Sequence, residues 1–280
     1  MADRTTLPEA PEPLPAPVAD SHTHLDSTRD HRGLQPAEAI ARAAEVNVTR
    51  LVQVGCDLAG SAWALEIADS CPEVVAAVAL HPNDAARLGD RLPDELTALR
   101  ELAETAGPRL RAIGETGLDH FRTREPELQK LQQVSFAEHI ALANELGLTL
   151  VIHDRDAHTE ILQVLDAEGI PERVVMHCFS GDAEFARACL DRGAWLSFPG
   201  PVTFKPNDAL REAARITPAD RLLTETDAPY LTPMPLRGRP NASYLMPYTV
   251  RFLAELRGED LTELCHRLTQ NTFAAFGGPW

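Results

Sequence analysis

The 280-residue sequence predicts a parallel α/β barrel of the (β/α)8 type. Eight apolar, strand-like runs alternate with segments of helical spacing, a pattern typical of parallel strands covered by an outer layer of helices. Eight strands are the number that closes such a barrel, which typically uses about 250 residues. We therefore expect one barrel domain over residues 18–280 and favour it over an open doubly wound sheet.

The chain begins with a segment of different composition. Residues 1–17 are rich in proline, glutamate and alanine and show no periodicity. They carry too little apolar area to offset the entropy of ordering, so we predict a disordered tail. The strand-like runs follow in order at residues 18–22, 50–55, 74–80, 110–115, 148–153, 174–178, 194–198 and 221–226.

Segment 126–147 shows the helical pattern between two of these runs. Its apolar residues recur at intervals of four, three and three from Phe136 to Leu146, which is the spacing of one helix face. Pro126 suits the first turn of a helix, and Gly147 suits the residue just past its end. The spacing therefore predicts a helix over 126–147.

Composition argues against several classes of protein. No run of about 18 apolar residues is present, so we expect no association with a membrane. The first 20 residues carry proline and acids where a secretion signal would have an apolar region. The five cysteines lack C-x-x-C spacing and are interpreted as reduced thiols in a cytoplasmic protein. No feature of the sequence indicates an obligate protein partner.

The net charge of −16 argues against nonspecific binding of nucleic acid, because a polyanion would be repelled. The charge is uneven, however. Between residues 228 and 257 there are four arginines and a single acid, Glu255. A local basic rim of this kind, or bound metal ions, could still receive a phosphate group.

Potential metal ligands stand at the ends of the predicted strands. His22 and His24 are separated by one residue, and side chains at that spacing leave an extended strand on the same face. Other runs also end in a histidine or a carboxylate, and the carboxyl ends of parallel strands meet at one mouth of a barrel. The candidate ligands that would converge there are His22, His24, Glu115, His153, His177 and Asp227.

Four imidazoles and two carboxylates exceed what one open catalytic zinc site requires, and they suit two divalent ions. Glu115, in the middle of the set, is the natural bridge, because a carboxylate can join two cations about 3.5–4 Å apart. Asp227 could bind metal and also orient the attacking water. Mixed nitrogen and oxygen ligands accept Mg, Mn, Zn, Fe or Ni, so the sequence does not identify the metal.

Ordered sequence blocks cover roughly residues 18–277. They include DSHTHLD, VGCD, ALHPND, AIGETGLDHF, VIHDRDAH, VMHCFSGD, WLSFPGPVTFK and LLTETDAPYLTP. These blocks resemble the TatD family of metal-dependent deoxyribonucleases, within the amidohydrolase-like metal-dependent hydrolases. The resemblance implies a TIM-type barrel with two divalent metal ions and with 3′-to-5′ exonuclease or deoxyribonuclease activity. The expected partner is DNA that is single-stranded or has frayed ends.

The resemblance also implies how the ligands divide between the ions. One ion would lie on His22, His24 and Asp227 and the other on His153 and His177, with Glu115 contacting both. The match to the family is not complete, since Asn83 stands where a second histidine is common. Because Asn83 is not a candidate ligand, this departure from the family pattern concerns the expected binding of substrate more than the expected hydrolysis.

Two further residues each have two interpretations. Glu225 precedes Asp227 by two residues, so both point to one side of the strand. It either orients a ligand or the attacking water, or it forms a stabilising ion pair. We assign the catalytic roles to Glu115, Glu225 and Asp227. His81 either fixes the loop that follows it or, as the resemblance suggests, contacts the substrate.

Three basic residues follow strand ends and are candidates for binding phosphate. Arg155 and Lys205 come after the fifth and seventh predicted strands, and Arg237 lies in a loop rich in proline and glycine after the last one. Loops after strands seven and eight of a barrel often hold phosphate, and arginine suits bidentate phosphate contacts. Each of these residues could equally be a solvated surface cation.

Two other functions remain open at this stage. An amidohydrolase-type enzyme would use the same metals to cleave a C–N or C–O ester bond. Many such enzymes bridge their ions with a carboxylated lysine, whereas the corresponding strand here offers Glu115, which favours the nuclease. A non-catalytic binding scaffold would be expected to lose ligands, yet all six candidates are present.

Overall fold

Within residues 6–280, which the computed structural model describes, eight parallel strands form the predicted barrel. The strands are β1 (Val18–Thr23), β2 (Val48–Val54), β3 (Val74–Val78), β4 (Leu110–Asp119), β5 (Thr149–Arg155), β6 (Val174–Met176), β7 (Trp195–Phe198) and β8 (Leu222–Thr224). Each strand pairs with the next one in chain order. The prediction of a TIM-type barrel is therefore confirmed, because a doubly wound sheet would reverse its strand order at a switch point.

The junction between β8 and β1 nearly closes the barrel. Thr23 and Ala228 form a single parallel bridge. The hydroxyl of Ser21 donates a hydrogen bond to the carbonyl of Thr224 over 3.0 Å. The backbone N–H of Thr226 donates to the buried carboxylate of Asp20 over 2.9 Å. Side chains of β1 therefore replace much of the backbone ladder at this seam.

Helices cover the outside of the barrel, as the alternating pattern predicts. They are α1 (Leu25–Arg32), α2 (Pro36–Glu45), α3 (Leu58–Ser70), α4 (Pro82–Leu88), α5 (Leu92–Thr105), α6 (Pro126–Leu146), α7 (His158–Glu168), α8 (Ala183–Leu190), α9 (Asp208–Ile216), α10 (Met246–Arg257) and α11 (Leu261–Ala275). The predicted helix over 126–147 is confirmed as α6, and Gly147 ends it in a left-handed conformation with φ of 62°. In the described part of the chain, none of these helices has the length and apolar character of a bilayer-spanning segment.

Apolar side chains fill the barrel interior below the candidate ligands. Val151, Val175 and Leu223 belong to this inner cluster. Because alternate residues of a strand point to the same face, polar residues occupy the next inward positions, which lie on β5 and just past the ends of β6 and β8. These are His153, His177 and Glu225. The apolar layer therefore lies directly below the polar side chains at this mouth of the barrel.

The N-terminal segment packs against the barrel. Leu14 is 1% exposed, and its N–H donates to the carbonyl of Val46 over 3.2 Å. The hydroxyl of Tyr244 donates to the carbonyl of Pro8 over 2.7 Å. The prediction of a disordered tail is therefore wrong for residues 6–17, because distant residues bind the segment's carbonyls and cover its leucine. The first five residues of the predicted tail lie outside the described part of the chain.

Candidate metal centre

The structure brings all six candidate ligands to one mouth of the barrel. They lie at the carboxyl ends of β1, β5, β6 and β8 and within β4, which extends four residues beyond the predicted strand. Their donor atoms fall into overlapping groups, and within each group the atoms lie less than 4.8 Å from one another. The centre is thus assembled from residues spread over some two hundred positions of the sequence, as a barrel of parallel strands requires.

One group of donors has the spacing of ligands around a single cation. Nε2 of His22 lies 3.3 Å from Nε2 of His24 and 3.5 Å from Oε2 of Glu115. Oδ1 of Asp227 lies 3.4 Å from Nε2 of His24 and 3.9 Å from Nε2 of His22. Ligand atoms ~2.1 Å from a tetrahedral centre are ~3.4 Å from each other. The four donors therefore fit a divalent metal ion.

The other carboxylate oxygen of Glu115 faces a second group of donors. Oε1 of Glu115 lies 2.6 Å from Nδ1 of His153 and 3.3 Å from Nε2 of His177. The Nε2 atom of His81 approaches the same oxygen to 3.6 Å. One carboxylate thus stands between two sets of imidazoles, which is the position a bridging ligand occupies in a two-metal site.

An irregularity in β4 turns Glu115 into the mouth. The pairing register between β4 and β5 shifts between Ile113 and Thr116. On a regular strand Ala112, which faces the barrel interior, would be followed by inward positions at 114 and 116, leaving Glu115 on the outside. Register irregularities of this kind commonly re-aim a side chain beside a functional site.

Backbone hydrogen bonds across the β1–β8 junction fix the positions of His22, His24 and Asp227, which belong to the first group of donors. The N–H of Asp227 donates to the carbonyl of His22 over 3.0 Å, and the N–H of His24 donates to the carbonyl of Ala228 over 2.9 Å. Asp227 adopts a left-handed conformation with φ of 50°. Such a conformation is unfavourable for a residue other than glycine and persists where the surroundings enforce it.

Neighbouring groups orient the ring nitrogens toward the centre. Nδ1 of His24 lies 3.1 Å from the carbonyl oxygen of Val54. A carbonyl only accepts, so in the neutral ring Nδ1 carries the proton and Nε2 keeps its lone pair. Glu225 forms an ion-pair contact with His177, since its Oε1 lies 2.9 Å from Nδ1 of that ring. The buried side chain of Glu225 also accepts a hydrogen bond from the N–H of Cys178 over 2.8 Å.

The electrostatics of the centre favour added positive charge. Burial raises the pKa of Glu115, but the facing charge of His177 and the side-chain hydrogen bonds from His153 and His177 outweigh it and hold that pKa well below the usual range. Burial likewise opposes ionisation of His153, yet Asp119 and Glu115 raise its pKa to about 9. Without metal, the carboxylates are therefore ionised and imidazoles retain protons, which a divalent ion would displace on binding.

His81 caps the helix that follows it and also lies beside the candidate ligands. Its Nδ1 accepts a hydrogen bond from the N–H of Asn83 over 3.1 Å and so caps α4. Burial lowers the pKa of His81 to about 3, so the ring is neutral. Because Nδ1 accepts, Nε2 carries the ring proton and presents it to the mouth.

Of the three predicted phosphate-binding residues, Arg155 ends β5, and Lys205 and Arg237 lie on the loops that follow β7 and β8. The guanidinium of Arg155 lies 3.9 Å above the ring of Phe121, and that of Arg237 lies 4.3 Å above the ring of Phe204. Lys205 is exposed beside Phe204. In the described part of the chain, no hydrogen bond or ion pair joins these three cations to the candidate ligands.

Sequence reasoning missed Asp119. Its Oδ2 lies 3.4 Å from Nε2 of His153 and accepts a hydrogen bond from the side chain of Asn83 over 2.8 Å. Asp119 thus faces the ring nitrogen of His153 that points away from Glu115. The available signal was its position four residues after Glu115 in the AIGETGLD block, which places both residues on one extended strand.

Comparison with known proteins adds an independent observation. The family described as TatD related DNase matches residues 19–277, which is nearly the whole chain. The chain belongs to this family. The recognition made from the sequence blocks is therefore confirmed.

Relatives in the TatD family cover this chain almost end to end. The metal-dependent hydrolase TatD of Mycobacterium tuberculosis is 43% identical over 269 residues, covering 94% of this chain and 99% of the relative. The 3′-5′ ssDNA/RNA exonuclease TatD of Citrobacter rodentium is 33% identical over 247 residues, covering 86% of this chain and 91% of the relative. The first of these relatives is named as a metal-dependent hydrolase and the second as an exonuclease.

A solved structure supports the same conclusion about the fold. The TatD homologue YJJV of Escherichia coli superimposes with a TM-score of 0.85 at 27% identity, covering 94% of this chain and 98% of that protein. The hydrolase TatD family protein of Entamoeba histolytica gives a TM-score of 0.80 at 19% identity, with 94% and 99% covered.

Proposed function

We propose that this protein is a divalent-metal-dependent phosphodiesterase that cleaves DNA from an end with two ions. The main support is the position of Glu115, each of whose carboxylate oxygens faces a separate group of donors. Paired ions in such a site suit an in-line displacement at phosphorus. The relative named 3′-5′ ssDNA/RNA exonuclease supports DNA as the substrate and its 3′ end as the point of attack.

Bound divalent ions would acidify the attacking water and neutralise the charge that develops on the phosphate. The proton of that water goes to a residue of the chain. The side chain of Asp227 is 14% exposed, against 5% for Glu115 and 0% for His22. Asp227 is therefore the more exposed of the two candidate carboxylate ligands, and we assign the proton transfer to it.

Groups behind the ligands keep the donors in place. Glu225 acts on His177, and we assign it to orientation of that ring because it is buried behind it and accepts from Cys178. Asp119 plays the corresponding part for His153. Such partners fix the tautomer and direction of an imidazole ligand.

The remaining candidates bind the substrate. The Nε2–H of His81 donates to a phosphate oxygen held beside Glu115. Arg155, Lys205 and Arg237 surround the mouth and contact phosphates further along the strand. Local cations and bound metal together offset the charge of −16, which would otherwise repel DNA.

The test is hydrolysis of single-stranded oligonucleotides labelled at the 3′ or the 5′ end, with Mg, Mn or Zn supplied. We expect metal-dependent release of mononucleotides from the 3′ end and no turnover with a chelator. A panel of amides and lactones is run in parallel. Turnover confined to that panel would replace the nuclease with the amidohydrolase-type enzyme.

A further inference from the structure

A tyrosine ring at the edge of the metal centre is left half-exposed. The side chain of Tyr230 is 47% exposed, although it follows Asp227 by only three residues. Its ring centroid lies 6.2 Å from that of His24 and 6.4 Å from that of His31. The ring planes differ by 68° and 66°, so neither imidazole stacks in parallel on the tyrosine.

The backbone of Tyr230 is held firmly, in contrast to its open ring. Its N–H donates to the carbonyl of Asp227 over 2.9 Å. The buried side chain of Asn241 donates to the carbonyl of Tyr230. Left-handed residues flank it on both sides, Asp227 with φ of 50° and Leu231 with φ of 55°. The surroundings must enforce this turn, so they also fix the direction in which the ring leaves it.

Tyr230 differs from the other aromatic side chains around the mouth. Phe121 and Phe204 each have a guanidinium over the ring, at 3.9 and 4.3 Å. Among the described residues, no cation–π or parallel stacking contact involves Tyr230. Its position beside a ligand, its fixed backbone and its open ring together make a flat apolar platform at the reacting end of the mouth.

We propose that Tyr230 stacks on the base of the nucleotide whose phosphodiester bond is cut. The inference rests on the proposed nuclease function and names the residue that recognises the base. Every nucleobase has a π-face, so stacking on an aromatic ring binds bases with little regard to sequence. A paired base inside a duplex is already stacked on its neighbours, so the platform accepts only unpaired or frayed nucleotides.

The experiment compares the metal-loaded wild type with Tyr230→Ala and Tyr230→Phe on two substrates. One is a single-stranded oligothymidylate. The other is the same strand with a tetrahydrofuran abasic residue at each end. Tyr230→Ala should raise KM for the intact strand about tenfold, within the range measured for base stacking on aromatic residues. We expect kcat and metal content to stay near the wild-type values.

Two comparisons isolate the base as the group recognised. Tyr230→Phe keeps the ring and should behave as the wild type. On the abasic strand, wild type and Tyr230→Ala should have the same raised KM. Val134→Ala is the matched control, because it removes a side chain 52% exposed on the outer face of α6, and it should change neither constant.

Each contrary result has a distinct meaning. An unchanged KM of Tyr230→Ala on the intact strand would overturn the stacking role and leave the nuclease function standing. An equal loss on intact and abasic strands would also overturn it, because the base would not be responsible. Failure of the wild type to cleave any phosphodiester would overturn the proposed function, and this inference with it.

Discussion

Glu115 faces both groups of donors, and its two oxygens have separate neighbours. Oε2 lies 3.5 Å from Nε2 of His22, and Oε1 lies 3.3 Å from Nε2 of His177. Those two imidazoles stack on each other with centroids 3.5 Å apart. Replacing the carboxylate by a neutral amide would retain most of its shape but remove the negative charge between the two sites.

Glu115→Gln should lower turnover more than ~100-fold, because substitutions of groups that merely support a metal ligand already cost ~10–100-fold. The measurement is kcat/KM on a single-stranded oligonucleotide together with metal content by elemental analysis. Glu127→Gln, whose parent side chain is 81% exposed on α6, is the control. A Glu115→Gln protein with wild-type turnover would refute the bridging role.

The proposed action of Glu225 on His177 gives a second test at the residue scale. Glu225→Gln should weaken metal binding ~10–100-fold, because the amide no longer holds the ring nitrogen as strongly as the carboxylate does. Metal dissociation constants from competition with a chromogenic chelator measure this directly. The exposed Glu172→Gln change is the control. An unchanged metal affinity would leave Glu225 with a purely stabilising role.

At the scale of elements, the strands, α6 and the convergence of ligands could be predicted because their signals are local. His153, for example, ends an apolar run that forms a strand. The carboxyl ends of the strands in a parallel barrel meet at one mouth, so the position of His153 follows from that run. The order of residues 6–17 could not be predicted in this way. Pro8 is held by Tyr244, which lies 236 positions away, and the segment itself carries no sign of that partner.

The contact between Asp119 and His153 is a second feature that local sequence signals could not predict. This contact depends on the register between β4 and β5, which shifts irregularly between Ile113 and Thr116. A regular alternation would have put Glu115 outside the barrel, so its position at the end of a predicted strand, and not the alternation of side chains, identified it as a candidate ligand.

The packing of the N-terminal segment has a direct test. Leu14→Ala removes a side chain that is 1% exposed and should lower the free energy of unfolding by ~2–5 kcal/mol. Leu128→Ala, at a position 36% exposed on α6, should cost far less. Urea unfolding followed by circular dichroism measures both. Equal, small effects would mean that the segment does not pack on the barrel in solution.

At the scale of the whole molecule, the stability of the metal-free protein depends on protons bound by the candidate metal ligands. The folded-state pKa of His153 is raised to about 9, since Asp119 and Glu115 outweigh its burial. This exceeds the value of about 6.5 expected after unfolding. Its stabilising contribution is therefore complete below about pH 6.5 and is lost as the pH rises to about 9.

Buried Asp20 adds a contribution of the same sign at lower pH, because burial raises its pKa to about 7; this contribution is complete below about pH 4 and is lost as the pH rises to about 7. We expect the free energy of unfolding of the chelator-treated protein to decline between about pH 6.5 and 9. The metal-loaded protein should be more stable and should not follow this decline, since binding displaces the protons. Urea unfolding at both pH values, with and without metal, measures this. A metal-free stability that rises over this interval would contradict the electrostatic account.

The central claim is that two cations, joined by Glu115, cut DNA at this mouth. The most direct measurement is a titration of the metal-free protein with Mn²⁺, recording bound metal and hydrolysis of end-labelled single-stranded DNA on the same samples. We predict that turnover reaches its maximum at two bound ions per chain and disappears when a chelator removes them. Full turnover with one ion or none, or no hydrolysis of DNA at two ions, would contradict the account.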